Sequence, residues 1–307
     1  MTTGDSLQRF IFENAPIRGE IVHLDATWQA VLERREYPAP VRQVLGELMA
    51  AAALLTSTIK FDGRLIMQIQ GNGPVKLMVV ECTSDRTMRA LAQWDDEVPS
   101  APLSQLVGDG QLAVTIDPKN AKERYQAIVS LEGMTVAEAF ENYFTRSEVA
   151  PAHPCARDTR ASCTSQLDTR LWLAADTHQA AGMLLQRLPG DRDDDDSWNR
   201  AVHLGATITR DDLLGLPVHE IVHRLYHEED IRLFSRTPVS FRCSCSRPRV
   251  EAVLRMLGPD EVHSILAEQG SVSVDCEFCG HHYAFDPVDA EQLFASTLSA
   301  GASPTRH

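Results

Sequence analysis

The chain has 307 residues, with 43 acidic side chains against 29 lysines and arginines, for a formal charge of −14. That surplus argues against a general phosphate-binding surface, and a hydrophobic content of 43% with 23% charged residues excludes wholesale disorder. The longest purely apolar run, Leu48 to Leu55, is far shorter than the roughly 18–20 residues needed to cross a bilayer, and Asp5, Arg9 and Glu13 break up any leader-like stretch at the amino end, so a cytoplasmic protein without a membrane partner is expected.

From Phe10 to about Pro189, strand-like and helix-like stretches alternate. Ile21–Leu24, Leu65–Gln70, Val75–Val80, Leu112–Ile116 and Tyr125–Leu131 are rich in branched residues and bounded by turn signals. Gly71-Asn72-Gly73-Pro74 and Asp109-Gly110 supply turn chemistry beside these runs, which predicts hairpins and an antiparallel sheet. Val44, Leu45, Leu48, Leu55 and Ile59 recur at helical spacing, which predicts a helix over Val41–Thr58. The expected class is α+β: an N-terminal domain with antiparallel sheet and helices over residues 1–188, a helical linker, and a small C-terminal zinc-binding domain.

Pro189-Gly190 and the carboxylates Asp191, Asp193, Asp194, Asp195 and Asp196 open the linker, read as 189–242. Like charges so close repel and gain nothing by packing, so a solvated segment is a better reading than an ion site. Ser197–Ile208 and Asp211–Glu229 are helical in pattern, with Pro217 starting a new turn inside the second and Leu213, Leu214, Leu216, Ile221, Val222 and Leu225 forming an apolar face. Pro259, Asp260 and Glu261 start a further helix that Gly270 ends, and Ser271–Val274 and Tyr283–Phe285 are expected strands. The last unit is read as 243–290, with a flexible tail over 291–307.

Four of the seven cysteines are gathered there: Cys243-x-Cys245 and, after 30 residues, Cys276-x-x-Cys279-Gly280. Two local pairs of thiolates from separate turns are suited to one tetrahedral Zn²⁺, with Zn–S bonds of about 2.3 Å. The glycine after the second pair accepts a tight backbone, whereas the single residue between Cys243 and Cys245 suggests a kink. His281 and His282 are read as exposed loop residues. So small a unit would depend on its metal, which makes it either a static ribbon or a redox switch, since oxidised sulfur no longer ligates. Spacing leaves both open. Arg242, Arg247 and Arg249 flank the first pair and are expected to favour its thiolates.

Two rival readings rest on nearby residues. His219-Glu220-Ile221-Val222-His223 matches H-E-x-x-H, the metalloprotease helix motif, but Tyr226 and Glu229 stand where its extended form needs Gly and His. Arg232, Arg236, Arg242, Arg247, Arg249 and Arg255 make the stretch locally basic, as in a nucleic-acid-binding zinc ribbon, against the acidity of the whole. Neither a phosphate-binding Gly-Lys-Ser/Thr loop nor a complete dinucleotide loop is present, so no ATP site is expected.

Beyond these, the sequence resembles the 33-kDa redox-regulated heat-shock chaperones, bacterial holdases. The likeness rests on Cys243-Ser244-Cys245-Ser246-Arg247, Cys276-Glu277-Phe278-Cys279, Arg224-Leu225-Tyr226-His227-Glu228-Glu229 and Ser264-Ile265-Leu266-Ala267-Glu268. In the first domain it includes Leu54-Leu55-Thr56, Lys60-Phe61-Asp62-Gly63, Gln70-Gly71-Asn72-Gly73-Pro74, Glu123-Arg124-Tyr125-Gln126 and Tyr143-Phe144-x-Arg146-Ser147-Glu148. The resemblance implies an ATP-independent chaperone, not an enzyme, that acts as a homodimer on unfolding client proteins. It also implies one zinc per chain on Cys243, Cys245, Cys276 and Cys279 in an inactive reduced form. On activation it implies disulfides Cys243–Cys245 and Cys276–Cys279, metal loss and a loosened linker. The family pattern does not ask for His219 or His223.

The chain departs from that pattern between Val149 and Leu167, where a Pro-, Ala- and Arg-rich insertion carries Cys155 and Cys163. A tolerated surface loop is the simplest reading; an auxiliary disulfide between the two is the alternative. Cys82, in a strand-like segment, is expected to be a buried small hydrophobe.

Overall fold

The computed structural model describes residues 4–119, 124–131, 134–146, 168–189 and 195–299. The insertion with Cys155 and Cys163, Asp191, Asp193 and Asp194 of the acidic run, and the chain beyond 299 lie outside the described residues. The chain divides into two compact units, Met1–Arg242 and Cys243–His307.

Two sheets dominate the first unit. One contains β1 (Ser6–Phe12), β2 (Ile17–Leu24), β8 (Thr169–Ala175), β9 (Ala180–Arg187), β10 (Ile231–Leu233) and β11 (Thr237–Pro238), in the order β10-β1-β2-β9-β8 with β11 also on β1. The other contains β3 (Gly63–Gln70), β4 (Val75–Thr83), β5 (Thr87–Trp94), β6 (Gln111–Pro118), β7 (Tyr125–Ser130) and β12 (Ser240–Phe241), ordered β12-β5-β4-β3-β6-β7. All these pairings are antiparallel except β12 on β5. Short helices α1 (Ala26–Leu32) and α3 (Leu103–Val107) and the longer α4 (Val136–Arg146) pack around this frame.

Helix α2 (Ala39–Thr58) packs against strands of both sheets. Its burial pattern follows from composition: Val41, Leu45, Leu48, Met49, Leu54 and the run Ala50–Ala53 are all buried, leaving little polar face, as in a helix buried nearly all round. Gly46 lets it approach closely, since a Cβ there would stand 2.4 Å from the Cβ of Ala175. Period-2 alternation sends Leu65, Met67 and Ile69 of β3 and Met78, Val80 and Cys82 of β4 into the same core. Cys82 is fully buried, and burial pushes its thiol up to about 11, so it behaves as the small hydrophobe expected.

The first sheet is buried on both faces. Leu7, Val22, Leu24 and Leu184 join the α2 core, and Phe10, Phe12, Ile17, Ile21, Met183 and Leu185 form a second core on the opposite side. The second core is completed by α5 (Asp195–Gly205), α6 (Arg210–Gly215) and α7 (Val218–Tyr226), through Trp198, Leu213, Leu214, Ile221, Val222, Leu225 and Tyr226. Pro217 does break the second helical stretch in two, and a capping box at Thr209 and Asp212 starts α6. Residues 195–242 thus sit inside the first compact unit, and their apolar stripe is covered by the sheet.

Three polar groups mark this packing. Tyr226 is 1% exposed, its ring 5.0 Å from that of Phe12 in a T-shaped contact and 6.0 Å from that of Phe10, and its hydroxyl donates to the Ala201 carbonyl at 3.2 Å. His23 of β2 donates from Nε2 to the Leu213 carbonyl of α6 at 2.9 Å, and burial lowers its pKa. On the α2 face Glu20 pairs with Arg9 at 3.0 Å and accepts from the Ser57 hydroxyl; burial nevertheless pushes its carboxyl up to about 7.

The second unit holds α8 (Arg247–Leu257), α9 (Pro259–Gln269), the hairpin β13 (Val272–Asp275) and β14 (His282–Phe285), and α10 (Pro287–Ser299). Leu254, Val262, Val272, Tyr283, Phe285, Ala290 and Leu293 make a small core. Here the reading of a tail from 291 is corrected: α10 runs on to Ser299, because Ala290 and Leu293 are one helical turn apart and both buried. No helix of the described residues is long and apolar enough to cross a membrane.

Candidate metal centre

Cys276 and Cys279 stand on the turn between β13 and β14. The Cys279 and Gly280 amides both donate to the Cys276 carbonyl, at 3.2 and 2.7 Å, and the Cys276 amide donates to the His281 carbonyl at 3.0 Å. Gly280 closes the turn with φ +68°, a left-handed value that favours glycine, which is the physical reason for Cys-x-x-Cys-Gly. Below the turn, Val272 pairs with Phe285 and Val274 with Tyr283, anchoring the hairpin in the small core.

Cys243 and Cys245 precede α8 in a segment with no turn or bend, which corrects the expectation of a kink. Alternate residues of an extended chain share a face, so one intervening residue brings both sulfurs to the same side. Ser246 takes the cap position of α8 and Pro248 lies in its first turn. The Arg249 guanidinium donates to the Ser244 carbonyl at 2.5 Å, holding the segment between the two cysteines.

The four Sγ atoms lie within 4.8 Å of one another, with Cys243 to Cys276 at 3.6 Å and Cys245 to Cys279 at 3.4 Å. A tetrahedral ion with metal–sulfur bonds of about 2.3 Å needs sulfurs about 3.8 Å apart, a value these separations bracket. The donor chemistry agrees. Burial pushes the Cys279 thiol up to about 12, with the Cys245, Cys243 and Cys276 sulfurs adding to it against a backbone hydrogen bond, and burial also raises Cys276. Thiols gathered this way ionise together only beside a compensating cation, so the residues fit a divalent metal.

Of the basic residues near the first pair, Arg247 is taken up by two carboxylates and an aromatic ring. Arg247 is 2.7 Å from Asp289, pairs with Glu251 at 3.6 Å and lies over the Phe285 ring; Arg255 pairs with the same glutamate at 3.7 Å. These pairings, and that of Arg232 with Glu13 at 2.9 Å, also divide the basic stretch that suggested a nucleic-acid surface. One contact escaped the sequence reading: the Tyr283 hydroxyl donates to Cys245 Sγ at 3.2 Å, and this bond, with burial, raises the tyrosine to about 12. The strand alternation that buries Tyr283 and Phe285 was the signal available for it.

His219, Glu220 and His223 lie exposed on α7. Among the described residues the four cysteines are the one group of three or more metal-type ligands, so the H-E-x-x-H match gains no third donor. His281 and His282 are exposed, the latter on β14 with Nδ1 2.7 Å from Asp275.

Comparison with known proteins agrees with this architecture. The family model described as Hsp33 protein matches residues 5–154 and 162–286, its interruption falling inside the insertion noted in the sequence. The 33 kDa chaperonin of Nitrosococcus oceani is 49% identical over 307 residues, spanning 100% of both chains. That of Chromobacterium violaceum is 47% identical over 309 residues, covering 100% of this chain and 99% of its own. In fold, the chain matches the crystal structure of the 33 kDa chaperonin (heat shock protein 33 homolog) from Thermotoga maritima, with TM-score 0.78 and 20% identity over 96% of this chain and 99% of that one. An α+β unit joined to a four-cysteine module of this kind therefore places the chain among chaperones, holdases that bind other proteins and are not enzymes. Specifically, it belongs to the Hsp33 family, the 33 kDa chaperonins.

Proposed function

We propose that this protein is a redox-regulated, ATP-independent holdase of the bacterial cytoplasm, silent when reduced and metal-bound and active once its four cysteines are oxidised. The observation that carries the proposal is the convergence of four sulfurs within 4.8 Å in a unit whose buried core is a handful of residues. In this reading Cys243, Cys245, Cys276 and Cys279 hold one Zn²⁺ per chain. Such an ion, when bound, cross-links the Cys243–Cys245 segment to the β13–β14 turn and neutralises thiolates that burial disfavours.

Activation is a balanced two-electron step at each pair. Two thiolates give two electrons to one peroxide, which takes two protons from solvent, forming one S–S bond and two waters, first in one pair and then in the other. The proposed bridges are Cys243–Cys245 and Cys276–Cys279, as the family resemblance implies. Cys243 lies 3.6 Å from Cys276 and Cys245 3.4 Å from Cys279, non-bonded separations, and forming either bridge brings its two sulfurs to the S–S bond length of about 2.05 Å. Four lost donors deprive the unit of its cross-link, and unfolding that begins at 243 reaches residues 189–242, which we assign as the linker between a 1–188 domain and the 243–290 switch. Release of α5, α6 and α7 uncovers Phe10, Phe12, Ile21, Met183 and Leu185, a contiguous apolar face of the kind unfolding clients bind. We assign homodimerisation to the first domain.

The test is light scattering of a thermally unfolding client without ATP, with the protein either reduced and zinc-loaded or treated with peroxide at raised temperature. Suppression by the oxidised sample alone, accompanied by release of one zinc per chain and a dimer in sedimentation, is the expected result. Equal suppression by both samples removes the redox control, and suppression by neither removes the holdase.

A further inference from the structure

Resting on the switch just proposed, we infer that an extended segment of an unfolded client adds as a β-strand to the sheet edges that residues 231–241 cover. Both sheets end on this one stretch. Strands β10 and β11 lie along β1, and β12 lies along β5. The backbone bonds are explicit: Phe234 donates to the Arg9 carbonyl at 2.9 Å, Val239 to Asp5 at 3.2 Å, Ser240 to Arg86 at 3.2 Å and Arg242 to Met88 at 2.9 Å, while Glu13 donates to Asp230 at 2.9 Å.

The covering strands are short, with three residues in β10 and two each in β11 and β12, against seven in β1 and eight in β5. Such short strands hold only while the rest of their segment is docked. Once the segment leaves, two long strands present rows of unpaired N–H and C=O groups, a template for any extended chain.

The covering strand also shows what an occupant should look like. Ile231 and Leu233 of β10 pack against the second core while Arg232, between them, faces Glu13 at 2.9 Å. A client strand with apolar residues at alternate positions would reproduce both features, its apolar side chains meeting the face that α5, α6 and α7 vacate beside the same edge. Backbone pairing supplies affinity without reading sequence, and alternation supplies the preference for unfolded segments over folded surfaces. Residues 231–233 thus act as an internal stand-in for the client.

The experiment uses full-length protein, reduced or peroxide-activated, and two fluorescent peptides of alternating isoleucine and threonine with lysines at both ends. The second peptide carries N-methyl groups on four consecutive central residues, which removes donors from both of its edges and keeps every side chain. Activated protein should bind the unmethylated peptide about tenfold or more tightly, a difference of ~1.4 kcal/mol. That peptide should also restore hydrogen-exchange protection to the Glu13 amide lost on oxidation. Equal binding of the two peptides by protein that still suppresses client aggregation overturns the edge and leaves the holdase standing. Failure to bind either peptide or any client overturns both.

Discussion

Replacing Tyr226 with alanine should activate the reduced protein without touching a cysteine. The ring is 1% exposed between Phe10 and Phe12, and its hydroxyl holds the Ala201 carbonyl, so α7 is joined both to the sheet and to α5. Truncating a buried aromatic costs about 3–5 kcal/mol, and losing the hydrogen bond adds ~1 kcal/mol. Taking about 4 kcal/mol as acting on docking of the three helices, the ratio of docked to undocked molecules falls roughly a thousandfold. Tyr226→Phe, which loses only the hydrogen bond, should shift the same ratio about fivefold. The assay combines client light scattering, hydrogen exchange over 195–226 and metal content, all on reduced protein. The expected Tyr226→Ala protein keeps its metal, exchanges quickly in α5, α6 and α7, and suppresses aggregation. Rapid exchange in those helices together with an inert reduced protein would refute the claim that uncovering this face of the sheet is what activates the chaperone.

Other substitutions test the remaining parts. Gly280→Ala places an L side chain at φ +68° where its Cβ meets no neighbour within 4 Å, so the cost is conformational, about 1–2 kcal/mol, and competition with a chelator should show metal affinity weakened roughly tenfold. His219→Ala with His223→Ala should leave metal content and holdase activity unchanged, because both side chains are exposed and share no third ligand; loss of the metal in that variant would return the protease motif to consideration. Stability should respond to pH through two groups of opposite sign. Glu20 has its folded pKa raised from 4.5 to about 7, so it contributes stability below pH 4.5 that is lost as pH rises through 7, on the order of 3 kcal/mol. Glu20→Gln should accordingly raise Tm at pH 8 more than at pH 5. His23 has its folded pKa lowered from 6.5, so its contribution is present above pH 6.5 and is lost as the solution is acidified below that. His23→Gln should flatten the loss of α6 protection below pH 6.5, as read by hydrogen exchange.

The four-cysteine cluster was the most legible part of the molecule, because the cysteine spacing and the glycine after Cys279 are constraints written in consecutive residues. The long helix α2 and the split at Pro217 were legible for the same reason: each depends on local periodicity or on one ring-locked φ. What escaped was long-range. Ile231–Leu233 is too short to show alternation, and only its pairing with Phe10–Phe12, more than two hundred residues earlier, makes it a strand. The apolar stripe of Leu213, Ile221 and Leu225 was readable, but nothing nearby in sequence names the sheet face that covers it. Helix α8 was hidden by its Arg-rich, Pro-containing start, and Asp289 and the Ser244 carbonyl, the partners of Arg247 and Arg249, become their neighbours only in the fold.

The junction between the two units has a mechanical consequence. Arg242 donates the last bond of the β12 ladder, to Met88, and the next residue is Cys243. There is no slack between the final rung and the first sulfur. Going back along the chain from Cys243, the Arg242 bond to Met88 comes first and the Ser240 bond to Arg86 next. Fraying that starts at Cys243 would meet β12 on one sheet before β11 and β10 on the other, because the chain lays these strands down in that order.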